Sequence, residues 1–195
     1  MNKNEKVFWF FNLILSSFLL LSCNSNNDNS TTNNKIETNN ILIVYFSCSN
    51  NTEAIAYKIQ NNLQSNIFEI IPLDPYTEED LNYNDDSCRA NQEQNDDNCR
   101  PQISNPIVDF NQYNSFFIGY PIWWGKLPKI MYTFFETYDF SDKNIIPFCT
   151  SGGSGITTSV NEIKQLEPNA NVDNGKKFSS SDSQETINQW LLEFK

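Results

Sequence analysis

From residue 41 onward, apolar blocks alternate with amphipathic stretches in a regular order. Ile41-Leu42-Ile43-Val44-Tyr45-Phe46 is a continuous apolar run rich in β-branched residues, the pattern of a strand buried on both faces of a parallel sheet. Residues 52–64 then carry Ile55, Ala56, Ile59 and Leu63 at helical spacing, which predicts a helix with one apolar face. Further strands are predicted at 66–71, 115–120 and 144–149, and a weaker one within 170–178. Helices are predicted at 128–138, with Pro128 in the first turn, at 157–166, closed by Pro168, and at 183–194, where Ile187, Trp190, Leu191 and Phe194 are apolar. Strands alternating with helices specify an α/β fold with an open, doubly wound parallel sheet. Ligands of such sheets sit beyond the carboxyl ends of the strands, so the loops after each strand are where chemistry is expected.

Two segments break the alternation. Residues 72–109 are long and polar, with clustered Asn and Asp and the pieces Ser87-Cys88-Arg89 and Asn98-Cys99-Arg100-Pro101. Insertions of this length are functional covers or loosely ordered, and residues 81–94 have the composition for a short helix. At the other end, Lys3 and Lys6 precede an apolar run from Val7 to Leu21 that leads into Leu20-Leu21-Ser22-Cys23. A basic start, a short apolar stretch and a small residue before the cut describe a secretory signal peptide over 1–22. The run is interrupted by Asn12 and is short against the roughly 20 residues a membrane-spanning helix needs. Leu-Leu-Ser-Cys resembles the bacterial lipobox, which implies a diacylglycerol on the Cys23 thiol, a membrane anchor and an extracytoplasmic location, on the periplasmic side or at the cell surface. Residues 23–40, mostly Asn, Ser, Thr and Asp, are then a flexible tether, and the folded domain runs over 41–195.

Composition narrows the chemistry. The 195 residues suffice for one domain with its own core, and 38% hydrophobic with 14% aromatic residues fits a folded chain. The formal charge is −11, and loss of Lys3, Lys6 and Glu5 with the signal takes it to −12. Nucleic acid is excluded as a partner, because its binding rests on Lys and Arg neutralising phosphates. There is no histidine, which removes Ser-His-Asp and Cys-His catalysis and imidazole metal sites. No catalytic residue and no metal ligand set is assigned, and work done by a bound cofactor gains weight.

Three strand-end loops carry the signal. After the first strand, Ser47-Cys48-Ser49-Asn50-Asn51-Thr52 leads into a helix, where free N–H groups, the helix dipole and hydroxyls suit a phosphate. One Ser or Asn would suffice for simple capping. A helix N-terminus also lowers thiol pKa, making Cys48 a conceivable nucleophile, although it has no base or resolving partner. After the third strand, Pro121-Ile122-Trp123-Trp124-Gly125 places two adjacent indoles, whose side chains point opposite ways if the stretch is extended. One can pack inward and the other offer a flat face to an aromatic ring, or both can cap the core. After the fourth, Ser151-Gly152-Gly153-Ser154-Gly155 suits close approach of backbone N–H groups to a ligand, as well as an ordinary turn.

Together these loops make the chain from about residue 41 resemble the flavodoxin family, in particular bacterial members with Gly-Tyr-Pro-Ile-Trp-Trp-Gly and Cys-Thr-Ser-Gly-Gly-Ser-Gly. The resemblance implies a three-layer αβα sandwich with a five-stranded parallel sheet in the order 2-1-3-4-5, and non-covalent FMN. The 47–52 loop would wrap the FMN phosphate. Asn50 stands where the family pattern has glycine, a departure that Asn tolerates through left-handed backbone angles. Pro121 to Gly125 would border the isoalloxazine, and Ser151 to Gly155 would face its pyrimidine edge. In related bacterial proteins a segment like 72–109 lies near the flavin. The implied activity is one-electron transfer to a redox partner protein, a basic one being favoured by the acidic surface, by a monomer in preference to a dimer.

Two other functions stay open: an NAD(P)H-dependent quinone or nitro reductase using FMN, and a lipoprotein binding module without flavin. Export permits disulfides, and a Cys88–Cys99 bridge would close part of the polar insertion. Cys48 and Cys149 lie at the ends of strands that the third strand separates, so they are not expected to pair. For the anchor, Cys23→Ser is expected to abolish incorporation of labelled fatty acid and to leave residues 1–22 attached by intact mass. A labelled Cys23→Ser protein overturns the lipobox reading.

Overall fold

The structure, a computed structural model, describes residues 40–194. The expected signal segment, lipidated Cys23 and the tether as far as residue 39 lie outside the described residues. Strands β1 (Ile41–Tyr45), β2 (Asn66–Glu69), β3 (Ser115–Pro121), β4 (Asn144–Thr150), β5 (Asn171–Val172) and β6 (Lys176–Phe178) form one sheet. Its order is β2-β1-β3-β4-β5, with β6 also on β4, and every pairing is parallel. The helices are α1 (Asn51–Leu63), α2 (Arg89–Asn95), α3 (Lys129–Thr137), α4 (Thr157–Leu166) and α5 (Gln184–Leu191). Among the described residues no helix is long and apolar enough to cross a membrane.

Strand alternation builds three layers. Leu42, Val44, Phe46, Phe116, Ile118 and Tyr120 share a core with Ile130, Met131, Phe134 and Phe135 of α3 and Ile163 of α4. The intervening residues Ile41, Ile43, Tyr45 and Phe117, with Ile146 and Phe148, share the opposite core with Ile55, Ala56, Ile59 and Leu63 of α1 and Ile187, Trp190 and Leu191 of α5. Successive side chains of a strand leave by opposite faces, so a run apolar at every position needs helices on both sides. This is the expected αβα sandwich.

The fifth strand is the exception: it is broken into β5 and β6. Asn171 and Asp173 donate from their N–H groups to the carbonyls of Lys143 and Ile145, so odd-numbered residues of β4 face this neighbour. The next one is Pro147, which has no N–H to give. The chain loops out there, and Gly175 turns it back with φ 66°, where an added Cβ would lie 2.4 Å from the Pro147 carbonyl oxygen. Smaller differences sit at ends. Pro128 is the extended N-cap of α3 (ψ 141°), one residue before the helix. The last helix gives way to a 3-10 turn over Leu192–Phe194.

The insertion is ordered. Its helix, α2, starts later than the sequence suggested, after a 3-10 turn at Glu79–Leu81. Arg89 holds it together: its guanidinium pairs with Asp74 (3.0 Å) and Glu93 (2.8 Å) and lies 4.2 Å from the centre of the Tyr76 ring. The proposed Cys88–Cys99 bridge is corrected: both thiols are free. Cys88 is the N-cap of α2 and Cys99 follows its C-terminal end. Seven helical residues add roughly 10 Å between those ends, against the roughly 7 Å limit on Cα separation in a disulfide. Cys48 and Cys149 are free as well, with β3 between their strands.

Gly175→Ala should cost roughly 2–4 kcal/mol, combining a left-handed backbone angle with an overpacked contact against strand β4. Urea unfolding reads this directly, and a loss below about 0.5 kcal/mol would contradict the account of the strand break.

Candidate functional site

Parallel pairing sends the loops after β1, β3 and β4 out over one edge of the sheet. There they line a cavity of about 440 Å³, within the roughly 300–1,000 Å³ typical of small-molecule and cofactor sites. Cys48, Ser49 and Asn51 come from the first loop, Pro121, Ile122, Trp123 and Trp124 from the second, and Thr150, Ser151 and Gly152 from the third. Ser47, Asn50, Thr52, Gly125, Gly153, Ser154 and Gly155 belong to the same loops but do not line it.

The first loop is shaped around α1. Asn50 is its N-cap at φ 60°, ψ 1°, the left-handed geometry for which Asn substitutes best for glycine, and its side chain makes no capping bond. Ala54 N–H reaches the Asn50 carbonyl (3.0 Å), while the earlier N–H groups of the helix have no side-chain cap. Ser47 Oγ is buried without a hydrogen-bond partner, a condition that costs about 1–3 kcal/mol unless something meets it. Lys58, the basic residue of α1, is turned away: its Nζ donates to the carbonyls of Ser180 (3.2 Å) and Asp182 (2.6 Å). Thr52, 1% exposed, spends its hydroxyl on Thr150 Oγ1 at 2.8 Å and so ties the first loop to the third. Cys48 is no activated nucleophile, because burial pushes its thiol up to about 12 despite nearby Arg89.

In the second loop the two tryptophans divide the labour. Trp123 is buried (5% exposed) and packs edge-on against Phe46 and Tyr76, at 5.5 and 5.1 Å between ring centres. Trp124 is half-buried and stacks on Tyr83 of the insertion, with ring centres 4.4 Å apart and planes 27° apart. Between Trp123 and Lys126 the chain makes a two-residue hairpin, closed by Lys126 N–H to Trp123 O (2.9 Å) and the reciprocal bond (3.2 Å). Trp124 and Gly125 have φ 47° and 79°, the positive pair a type I′ turn demands. For an indole this is an outlier, and such strain persists where the surroundings over-determine it. In the third loop a Cβ on Gly152 or Gly153 would meet nothing within 4 Å, so internal packing does not require these glycines. Lys177 Nζ donates to Gly153 O at 3.3 Å.

Five further positions line the cavity that the sequence did not single out: Leu81 and Tyr83 from the insertion, Phe178 at the end of β6, and Ser179 and Ser180 after it. The run Ser179-Ser180-Ser181 after a strand repeats the signature of the 47–52 loop and was findable on that ground. Tyr83 carried no signal, since nothing local tells a polar insertion which aromatic will meet Trp124.

The division between the indoles has a measurable consequence. Trp123→Ala should cost about 3–5 kcal/mol as a core truncation, whereas Trp124→Ala should cost no more than about 1.5 kcal/mol, the scale of one aromatic pair. Chemical denaturation of the two variants tests this, and equal losses would refute it.

Comparison with known proteins agrees with the geometry. A family model described as Flavodoxin matches residues 40–194, while no curated protein matches the chain. A Bacteroides eggerthii protein assigned to the flavoproteins is 36% identical, with a TM-score of 0.73 over 77% of this chain and 94% of its own. A second, from Bacteroides uniformis, is 34% identical with a TM-score of 0.75 over 78% and 97%. The flavoprotein of Lactobacillus acidophilus, solved in complex with FMN, shares the fold at 24% identity and a TM-score of 0.58, over 71% of this chain and 92% of its own. The chain belongs to the flavodoxin family.

Proposed function

We propose that this chain binds FMN and transfers electrons, tethered to a membrane by a lipid on Cys23. The observation that carries the flavin reading is the cavity that Ser49, Asn51, Trp124 and Ser151 line together, next to an uncapped helix N-terminus and the unpartnered Ser47 hydroxyl. That combination fits a ligand with an anionic end and a flat aromatic end. Residues 47–51 would hold the phosphate through N–H groups and hydroxyls, Trp124 would border the ring, and the bare backbone of 151–153 would supply polar contacts. Bound FMN supplies the redox chemistry, passing one or two electrons.

The chain's own contribution is electrostatic. With 24 acidic against 13 basic residues and no cation in the phosphate loop, added negative charge is disfavoured, which lowers the reduction potential relative to free FMN. The same field would steer a basic partner. The anchor reading is supported by Lys3, Lys6 and Leu20–Cys23 alone, and the domain division into signal, tether and flavin domain goes with it.

The purified chain should be yellow, with absorption bands near those of free FMN. Titration should quench FMN fluorescence at one equivalent and favour FMN over riboflavin, and Ser49→Ala should narrow that preference. Colourless protein with no quenching at stoichiometric FMN overturns the flavin reading. Rapid NAD(P)H oxidation with quinones would instead make the protein a reductase.

A further inference from the structure

Gln94 lies on α2, outside the three strand-end loops, and is 3% exposed. Its carboxamide is fully used. Nε2 donates to the carbonyls of Trp123 and Leu127, both at 3.2 Å, and Oε1 accepts from the N–H of Lys129 at 3.0 Å. These three backbone groups bracket the Trp123–Lys126 hairpin: the residue entering it, the residue leaving it and the first residue of α3. Trp123 O also accepts from Lys126 N–H within the hairpin, whereas the other two need a partner from outside. Lys129 opens α3, where N–H groups lack intrahelical acceptors, and its N-cap is Pro128, with no side-chain capping bond. The carbonyl of Leu127 precedes a proline in a buried stretch.

Two donors and one acceptor on one planar head are what a carboxamide offers; a carboxylate has no donor, and an ammonium or guanidinium has no acceptor. The partners also fix which end of the amide is nitrogen. On its other side, the hairpin is held by Glu162 of α4, whose carboxylate accepts from Leu127 N–H at 2.8 Å. α2 itself is braced from outside by Asp74 and Tyr76, through Arg89 and through Glu93, which accepts from the Tyr76 hydroxyl, so Gln94 is presented from a fixed support. The same insertion delivers Tyr83 to one face of the Trp124 indole.

We propose that Gln94 is a positioning residue of the flavin site: from the insertion, it holds the strained Trp124 turn at the place where its indole meets the isoalloxazine. The inference rests on the FMN reading of the cavity. It makes the 72–109 insertion a scaffold for the aromatic wall as well as a cover. Because Gln94 acts on the ring end of the ligand, it affects FMN and riboflavin alike.

The test compares FMN and riboflavin titrations of the full chain and of Gln94→Leu, with Ser49→Ala as the phosphate-end control. Gln94→Leu is expected to bind each ligand about tenfold more weakly, the scale of losing buried hydrogen bonds that hold the bound geometry. Its preference for FMN over riboflavin should stay as in wild type, whereas Ser49→Ala should change that preference. A merely structural role would lower the unfolding midpoint and leave both affinities of the folded protein within about twofold; that result overturns the proposal, as does a loss confined to FMN. Wild-type protein that takes up no FMN removes the flavin reading and this inference with it, an outcome distinct from a silent Gln94→Leu. A measurement on the wild type covers failure of the variant to fold. The Lys129 amide, held by Gln94, should exchange with solvent at least about tenfold more slowly when FMN or riboflavin is bound, and unchanged exchange overturns the proposal.

Discussion

Every loop at the site leaves the sheet over the same edge because β1, β3 and β4 run parallel and in register. Tyr45 pairs with Gly119 and Gly119 with Phe148, so Ser47, Ile122 and Ser151 emerge together from elements far apart in the chain. The cross-links between loops depend on this alignment. Thr52 meets Thr150 across 2.8 Å, and Ile122 N–H reaches the Thr150 carbonyl at 2.9 Å, only if the strands end level. A slip of one residue in a strand would also exchange its two faces, and here both faces are apolar and matched to different helices. The register that fills two cores is therefore the register that assembles the cavity.

The insertion adds a second level of control. It contributes little to either core, with Cys88, Ala90 and Ile107 its buried apolar positions. What it contributes is polar and directional: Arg89 shared among Asp74, Glu93 and Tyr76, and Gln94 spread over three backbone groups. Such networks gain modestly in net stability but are costly when half satisfied. They suit the task of holding one conformation against its alternatives, and the conformation concerned, an indole at φ 47°, is one the local sequence does not favour.

The site's electrostatics follow from what is missing at the first loop. Its anion-binding capacity lies in N–H groups and hydroxyls, with Lys58 committed elsewhere. Amide donors compensate less charge than a lysine would, so on the proposed reading a bound phosphate leaves its negative charge near the ring. Burial acts in the same direction on Cys48, whose thiol is pushed up to about 12. Among the described residues the loop therefore holds no reactive thiolate, and the chemistry falls to the cofactor.

The sequence by itself determined the layers and the edge that carries the site. Runs apolar at every position have to be buried on both sides, the helix faces are apolar at every third or fourth residue, and polar loops follow the strands, so the αβα sandwich and the three strand-end loops that line its cavity were legible locally. Asn50 in a left-handed cap was legible too, because it depends on backbone geometry within a few residues, whereas the tryptophans are parted by a tight turn where the sequence suggested an extended stretch. Tertiary structure decided the rest. Pro147 breaks a neighbouring strand only once the sheet order places residues 173–175 beside it. Cys88 and Cys99, which composition alone would bridge, are parted by a helix that forms between them. Trp124 acquires Tyr83, and its hairpin acquires Gln94, from a polar segment whose local pattern names neither, because a hydrogen bond or a stack between residues 30 or 40 positions apart leaves no periodic trace in the chain.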